Sequence, residues 1–335
     1  MPLPENLPKI GRGRRLVQLA FLAATLLMGW QFFLFYRWAA GLSEIPAARP
    51  PAVEGFLPIS ALLGLKRLLV SGSYDLIHPA GLTILLAALA VSLAARKGFC
   101  GWICPVGAVS NLAEIAARKR CPQPPRPPLW LKLPLLSVKY LLLFFFLYII
   151  FWQMPLVGIE AFMRAPYNIV ADAKMLRFFL APSLLAGGVT LLLVAASFLF
   201  RNPWCRYFCP YGAFLGLAAF FSPVRIKRDD ERCIQCRKCE QVCPAALPVA
   251  ARRTITDNSC IGCLECVGVC PVEECLETRI GSRRLNPWLV AAFGLGIFFL
   301  FWAWARLSGH WFSEVPVAVF QELYPRMLLF EHPRY

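Results

Sequence analysis

Charged residues and histidines are scarce in this chain of 335 residues. Only 16% of positions are Asp, Glu, Lys or Arg, well under the roughly 25% of a soluble domain, which argues against a water-soluble globule. There are three histidines, His78, His310 and His332. His78 and His310 lie outside the long apolar runs, so the axial pair that a haem between spans needs is missing. Interface packing is expected of them instead. No cysteine pair has the CxxCH form of attached haem. No Gly-rich loop follows a strand pattern, which excludes hydride or acyl chemistry carried on a nucleotide. What is abundant is apolar: 58% of the residues are hydrophobic and 26 are Phe. That composition describes a membrane protein with a polar insert. The net charge of +16 sits at the ends of the apolar runs. It reads as topology signal and anionic-lipid contact, not as a nucleic-acid footprint.

Cysteine is the exception to the general shortage of reactive side chains. Cys233, Cys236, Cys239 and Cys243 are spaced x2, x2, x3 and followed by Pro244. Cys260, Cys263, Cys266 and Cys270 repeat that spacing and end at Pro271. This is the ligand run of bacterial two-cluster ferredoxins. Three sulfurs of each run converge on one [4Fe-4S] cube, and the fourth reaches the other. Cluster one is therefore expected on Cys233, Cys236, Cys239 and Cys270, and cluster two on Cys260, Cys263, Cys266 and Cys243. Zinc is the competing reading, but zinc sites usually come as CxxC pairs. Ligand spacing in eight of the 14 cysteines excludes a disulfide framework. It calls for a reducing compartment during assembly, the cytoplasmic side. Residues 225–280 are too few to rely on an apolar core, so the metal-free lobe is expected to be unfolded.

Along the chain, residues 1–15 are basic and Pro-rich, and 16–36 form an apolar run long enough to cross a bilayer. A cleaved signal has a shorter apolar core of about 7–15 residues, and the Arg14–Arg15 step alone does not make a twin-arginine signal. A retained anchor is expected. Residues 41–78 read as a loop with an interfacial helix near 56–70. Further spans are expected at 79–95, 133–152, 180–200 and 288–307, with a loop at 155–179 and a stiff Pro-rich connector at 121–128. Segment 96–133 carries Arg96, Lys97, Arg118, Lys119, Arg120, Arg126 and Lys132 against Glu114 alone. The positive-inside rule then places the N-terminus and the cysteine-bearing segments in the cytoplasm and the C-terminus in the periplasm. The expected architecture is an all-α integral membrane protein of about five transmembrane helices with an internal two-helix repeat. A small α+β ferredoxin insert of the 2[4Fe-4S] type completes it. Its divisions are a basic N-terminus (1–15), a four-helix core (16–220), the ferredoxin domain (225–280), a fifth helix (287–307) and a tail (308–335).

The repeat is visible as FCGWICPVGA at 99–108 and WCRYFCPYGA at 204–213. The two match at each cysteine, the proline, the Gly-Ala pair and two aromatics, and each follows an even-numbered span. Positions i and i+4 of a helix share a face, so Cys100 with Cys104 and Cys205 with Cys209 can each present two sulfurs. Pro105 and Pro210 suit the first position of a following helix. Facing each other, the pairs supply four thiolates, enough for a third iron–sulfur cluster. The bland reading is buried thiols at a tight helix break. Redox-active dithiols or a copper site are further options. Cys121 and Cys275 receive no role, beyond packing near the cluster for Cys275.

Two C-x3-C-P elements on a membrane core, followed by a two-cluster ferredoxin module, resemble the NapH/NosR-like polyferredoxin family over residues 80–275. The matched positions are Cys100, Cys104, Cys205, Cys209 and the eight ferredoxin cysteines. The resemblance implies a bacterial inner-membrane protein that relays electrons between the quinone pool, or a partner redox subunit, and iron–sulfur clusters on the cytoplasmic face. Residues 41–78 are too short for the large periplasmic flavin-binding domain of the nitrous-oxide branch.

The chain is thus expected to be a membrane-bound electron-transfer subunit of a quinone-linked complex. Its partners would be an iron–sulfur protein or a multihaem cytochrome c, and no nucleic acid. The alternative is a metal-reducing or cofactor-maturation factor. A quinone head-group pocket is expected from Glu160, Arg164, Tyr167, Asn168 and Asp172, or else these residues form a solvated loop. Snorkelling accounts for Arg37 and Lys139.

Overall fold

The computed structural model describes residues 9–120 and 128–332. The expected connector at 121–128, Cys121 included, lies almost wholly outside them. Among the described residues three helices are long and apolar enough to cross a membrane: Ile10–Ala39, Trp130–Gln153 and Pro287–Leu307. A fourth crossing is available if Ala171–Leu180 and Leu184–Leu199, bent by 70°, count as one. Pro182 sits in the break between them, where it removes an amide donor and clashes with the preceding turn. The span expected at 180–200 is thus met by Leu184–Leu199, 16 residues long, with the break at its start. Pro79–Ala95 is apolar but has 17 residues. The first helix starts at Lys9, ahead of the apolar run.

Segment 155–179, expected as a loop, is helical throughout. Leu156–Arg164, Pro166–Ile169 and Ala171–Leu180 follow one another with hardly a break. Ile159, Phe162 and Met163 are buried while Arg164 stays exposed, so the charges mark the outer sides of short amphipathic helices. Pro58–Ser71 is a helix, as its spacing predicts, but Ser60 to Lys66 are buried within the protein. It ends on Gly72 at φ +68, the left-handed conformation that glycine adopts without strain.

The chain forms two compact units. The first comprises residues 1–23, 88–143 and 190–298, and the second 24–87, 144–189 and 299–335. The first unit holds a four-stranded antiparallel sheet of β1 (Val224–Arg228), β2 (Thr254–Ile255), β3 (Leu276–Ile280) and β4 (Arg283–Leu285), in the order β2-β1-β3-β4. Ile226 pairs with both Ile255 and Thr278. Val224, Ile226 and Ile255 turn inward, as two-residue alternation requires. In the second unit, Phe32, Phe35, Val170, Phe320 and Tyr324 build an aromatic core, with Phe35 edge-on to both Phe320 and Tyr324.

Candidate iron–sulfur centres

The two cysteine runs fold into the same loop twice. In 233–239, Gln235 and Arg237 both take φ +55; in 260–266, Gly262 takes φ +60 and Leu264 φ +61. Left-handed φ is uncommon outside glycine. Here it recurs at matching positions, and such left-handed residues are the backbone element from which anion-binding nests at iron–sulfur sites are built. Each loop enters a short helix, Lys238–Gln241 or Glu265–Gly268, whose second residue is the third cysteine. The fourth cysteines cross over. Cys270 joins Cys233, Cys236 and Cys239 around one cavity. Cys243 joins Cys260, Cys263 and Cys266 around another. These are called the first and second cages below. Among the described residues no three His, Cys, Asp or Glu side chains are placed to hold a single metal ion. The thiols stand back around cavities instead.

The cages differ in their surroundings. All four cysteines of the second are buried, and the rest of its lining, with Ile226, Leu247, Val249, Ile255 and Leu264, carries no charge. Burial pushes the Cys243 thiol up to about 12 and Cys263 higher than its ordinary value. In the first cage Cys236 is exposed, Cys233 and Cys270 are half-buried, and Arg228, Arg237 and Lys238 line the wall. At Cys233 burial opposes ionisation, but the Gln235 amide and Arg228 hold the thiol below its ordinary value. Cys275 lines the same wall, fully buried. A thiolate-held anionic cluster suits both settings: one excludes water and the other offers cations.

The C-x3-C elements are π-helical turns, Phe99–Ile103 and Trp204–Phe208. The amides of Cys104 and Cys209 donate to the Phe99 and Trp204 carbonyls, each at 2.9 Å. The sequence reading expects ordinary helix; the wider π turn also returns i and i+4 to one face, and single π turns collect at functional sites. Pro105 and Pro210 then begin the next helices. The Gly212 amide donates to Cys209 Sγ at 3.2 Å. Burial pushes the Cys100 thiol up to about 12 and Cys104 to about 11, and Cys205 is raised by burial and then by the thiols of Cys104, Cys209 and Cys100. The Lys97 charge favours the thiolate at all four.

Both elements are tied to the second cage. Trp102 Nε1 donates to the Gly262 carbonyl at 3.0 Å. A Cβ at Gly101 would collide with the Ile261 carbonyl, so only glycine allows this approach. Asn202 Nδ2 donates to the Pro244 carbonyl at 3.2 Å, and Arg201 Nη1 to the Glu240 carbonyl at 2.9 Å. Arg14 spans both sides: its Nε donates to the Gly101 carbonyl at 2.8 Å and its Nη1 meets Glu265 Oε1 at 2.6 Å. Lys139 does not snorkel. It is 1% exposed and its Nζ lies 3.4 Å from Ser259 Oγ, beside Cys260. Sequence reasoning missed Arg14, Lys139, Arg201 and Asn202. For Trp102 a signal existed, since its counterpart in the second element is the aromatic Tyr207.

Of the residues expected around a quinone head group, Asn168 and Asp172 join one buried polar network through His78, Glu54 and Arg49, while Glu160 and Tyr167 make other contacts. In the second unit Asp172 Oδ2 accepts from Arg49 Nη2 at 2.7 Å, and Arg49 Nη1 donates to Glu54 Oε1 at 2.7 Å. Tyr324 donates to Asp172 Oδ1 at 3.0 Å. Asn168 accepts from Ser60 at 2.5 Å through its side chain, and its carbonyl lies 2.9 Å from His78 Nε2. Glu160 stands apart, 3.8 Å from Arg67, and Tyr167 packs on Phe162 and His332. His310 stacks on Trp304 at 5.4 Å.

A 4Fe-4S binding domain family matches residues 77–121 and 180–228, and a 4Fe-4S dicluster domain family matches 225–275. With membrane-length helices beside them, these matches define the class: an iron–sulfur electron-transfer protein of ferredoxin type. YccM of Escherichia coli, whose name assigns it provisionally to electron transport, is 38% identical over 331 residues, 95% of this chain and 91% of its own length. NirI of Paracoccus denitrificans is 29% identical over 246 residues, 68% of this chain and 30% of NirI. The ferredoxin-type protein NapH of Escherichia coli is 25% identical over 164 residues, 46% of this chain and 49% of NapH. The chain belongs to the NapH/NosR-like family of ferredoxin-type membrane proteins. No solved structure matches it.

Proposed function

We propose that this protein is a membrane-bound subunit that passes single electrons through three iron–sulfur centres. It would connect the quinone pool, or a partner iron–sulfur protein or multihaem cytochrome c, with the cytoplasmic face of the bacterial inner membrane. Two [4Fe-4S] clusters are assigned to the crossed cages: Cys233, Cys236, Cys239 and Cys270 for one, Cys260, Cys263, Cys266 and Cys243 for the other. A third is assigned to Cys100, Cys104, Cys205 and Cys209. When bound, such clusters supply reversible one-electron storage without proton bookkeeping.

The observation that carries this reading is the shared attachment of both C-x3-C elements to the second cage, through Trp102 and Gly262 on one side and Asn202 and Pro244 on the other. The chain's own residues would thus hold the thiolates, keep water from the buried cage and leave the first cage open. Lys97 supplies positive charge where four thiolates would accumulate negative charge. Iron and acid-labile sulfide per chain test the assignment. About twelve irons falling to about eight in a Cys100→Ser/Cys205→Ser variant supports three clusters. About eight in both proteins removes the third. Rapid cluster reduction by a quinol supports the quinone link, and reduction of copper or haem without quinone reactivity favours a maturation role.

A further inference from the structure

The first cage opens on the loop 233–239, and what surrounds its exposed Cys236 is not neutral. Ile234 is 65% exposed. Arg237 and Lys238, both exposed, flank Cys236 on the other side. Most other cations of the lobe are spoken for: Arg232 and Arg284 meet Glu274, Arg279 meets Glu277, and Arg228 and Arg253 meet Asp230. Among the described residues Arg237 and Lys238 make no ion pair. An apolar centre beside two uncommitted cations and a cysteine of the cage is the outline of a small docking face.

Resting on the assignment of a cluster to the first cage, we propose that this loop is the docking port for a soluble one-electron carrier with an acidic face around its own cofactor. Exchange at the port moves one electron between the cluster and the carrier, oxidising one and reducing the other, with no bond made or broken. Charge complementarity selects the occupant. Two unpaired cations beside the redox centre attract carboxylates and speed encounter. A second copy of the chain would bring the same cations against themselves. A lipid surface fits less well, because the loop offers one isoleucine and no Trp, Tyr or Phe to seat at the interface.

The full chain in neutral-lipid nanodiscs, loaded with clusters, is titrated with an acidic plant-type [2Fe-2S] ferredoxin as the probe, and with basic cytochrome c as its opposite. Binding of the ferredoxin should weaken at least tenfold between about 50 and 300 mM salt, and as much again in Arg237→Glu/Lys238→Glu. Ile234→Ser should weaken it severalfold. Arg237 and Lys238 also line the first cage, so binding is compared per loaded first cluster, read from the iron content and paramagnetic spectrum of each variant. Equal binding by wild type and the double variant, or tighter binding of cytochrome c than of ferredoxin by wild type, would overturn the port. So would a double variant that loses only its affinity for phosphatidylglycerol vesicles. Absence of cluster spectra from the unsubstituted protein would remove the underlying assignment, and the port with it; intact spectra with unaltered binding would remove the port alone.

Discussion

The two ferredoxin cages have one backbone and two environments. Both place left-handed residues before and after the second cysteine, at Gln235 and Arg237 in one and at Gly262 and Leu264 in the other. Both take the fourth cysteine from the opposite run. Yet one is walled by aliphatic side chains and the other by guanidinium and ammonium groups. The loop conformation therefore comes from the local cysteine spacing, while the setting comes from what the rest of the chain lays over it. A buried cluster and an open, cation-lined one are expected to differ in potential, because burial and nearby charge are the protein's main means of tuning it.

The largest test of that comparison is to break the crossing. Cys243→Ser should remove about four irons per chain from the second cage and leave the first cage's spectrum intact. Cys270→Ser should do the reverse. Loss of the signal belonging to the mutated run itself would show that the fourth sulfurs do not cross.

Next in size is the buried Arg14–Glu265 pair beside the second cage. Arg14→Ala leaves Glu265 buried without its counter-charge, which costs about 3–5 kcal/mol. The denaturation midpoint of the second cage's absorbance should fall accordingly, with the first cage less affected. Trp102→Phe keeps the ring and removes the donor to Gly262, so a loss of about 1 kcal/mol is expected in the same measurement.

The smallest effect on the cages should come from pH acting on the second unit. At His78 burial opposes the charge, but Glu54, 3.7 Å away, raises the imidazole above its ordinary value. At Glu54 burial is outweighed by Arg49 and His78, which lower the carboxyl. The His78 contribution is complete below the ordinary imidazole value of 6.5 and is lost as pH rises through the higher folded value. The Glu54 contribution is present above 4.5 and is lost as pH falls through the lower folded value. Thermal melts should show alkaline destabilisation in the wild type that His78→Phe abolishes, with both cage spectra steady throughout.

Some of this was legible because ligand chemistry fixes spacing. The two runs and the paired C-x3-C elements stand out whatever surrounds them, and their proline-started helices follow at once. The π turns were hidden, since a 3.6-residue and a wider turn both bring Cys100 near Cys104. Segment 155–179 looked like a loop because Glu160, Arg164, Asp172, Lys174 and Arg177 interrupt its apolar residues. Asp172 is in fact one of the buried charges, neutralised by Arg49 from 123 residues away. Arg14 and Lys139 were unreadable for the same reason: their partners are 251 and 120 residues distant, and local pattern says nothing about such pairings.

That long separation gives the Arg14–Glu265 contact a meaning in time. Arg14 is made 251 residues before Glu265, so the helix that carries it is complete well before the lobe that supplies its carboxylate. Until that later lobe folds, the guanidinium lacks its counter-charge and has only the Gly101 carbonyl to meet.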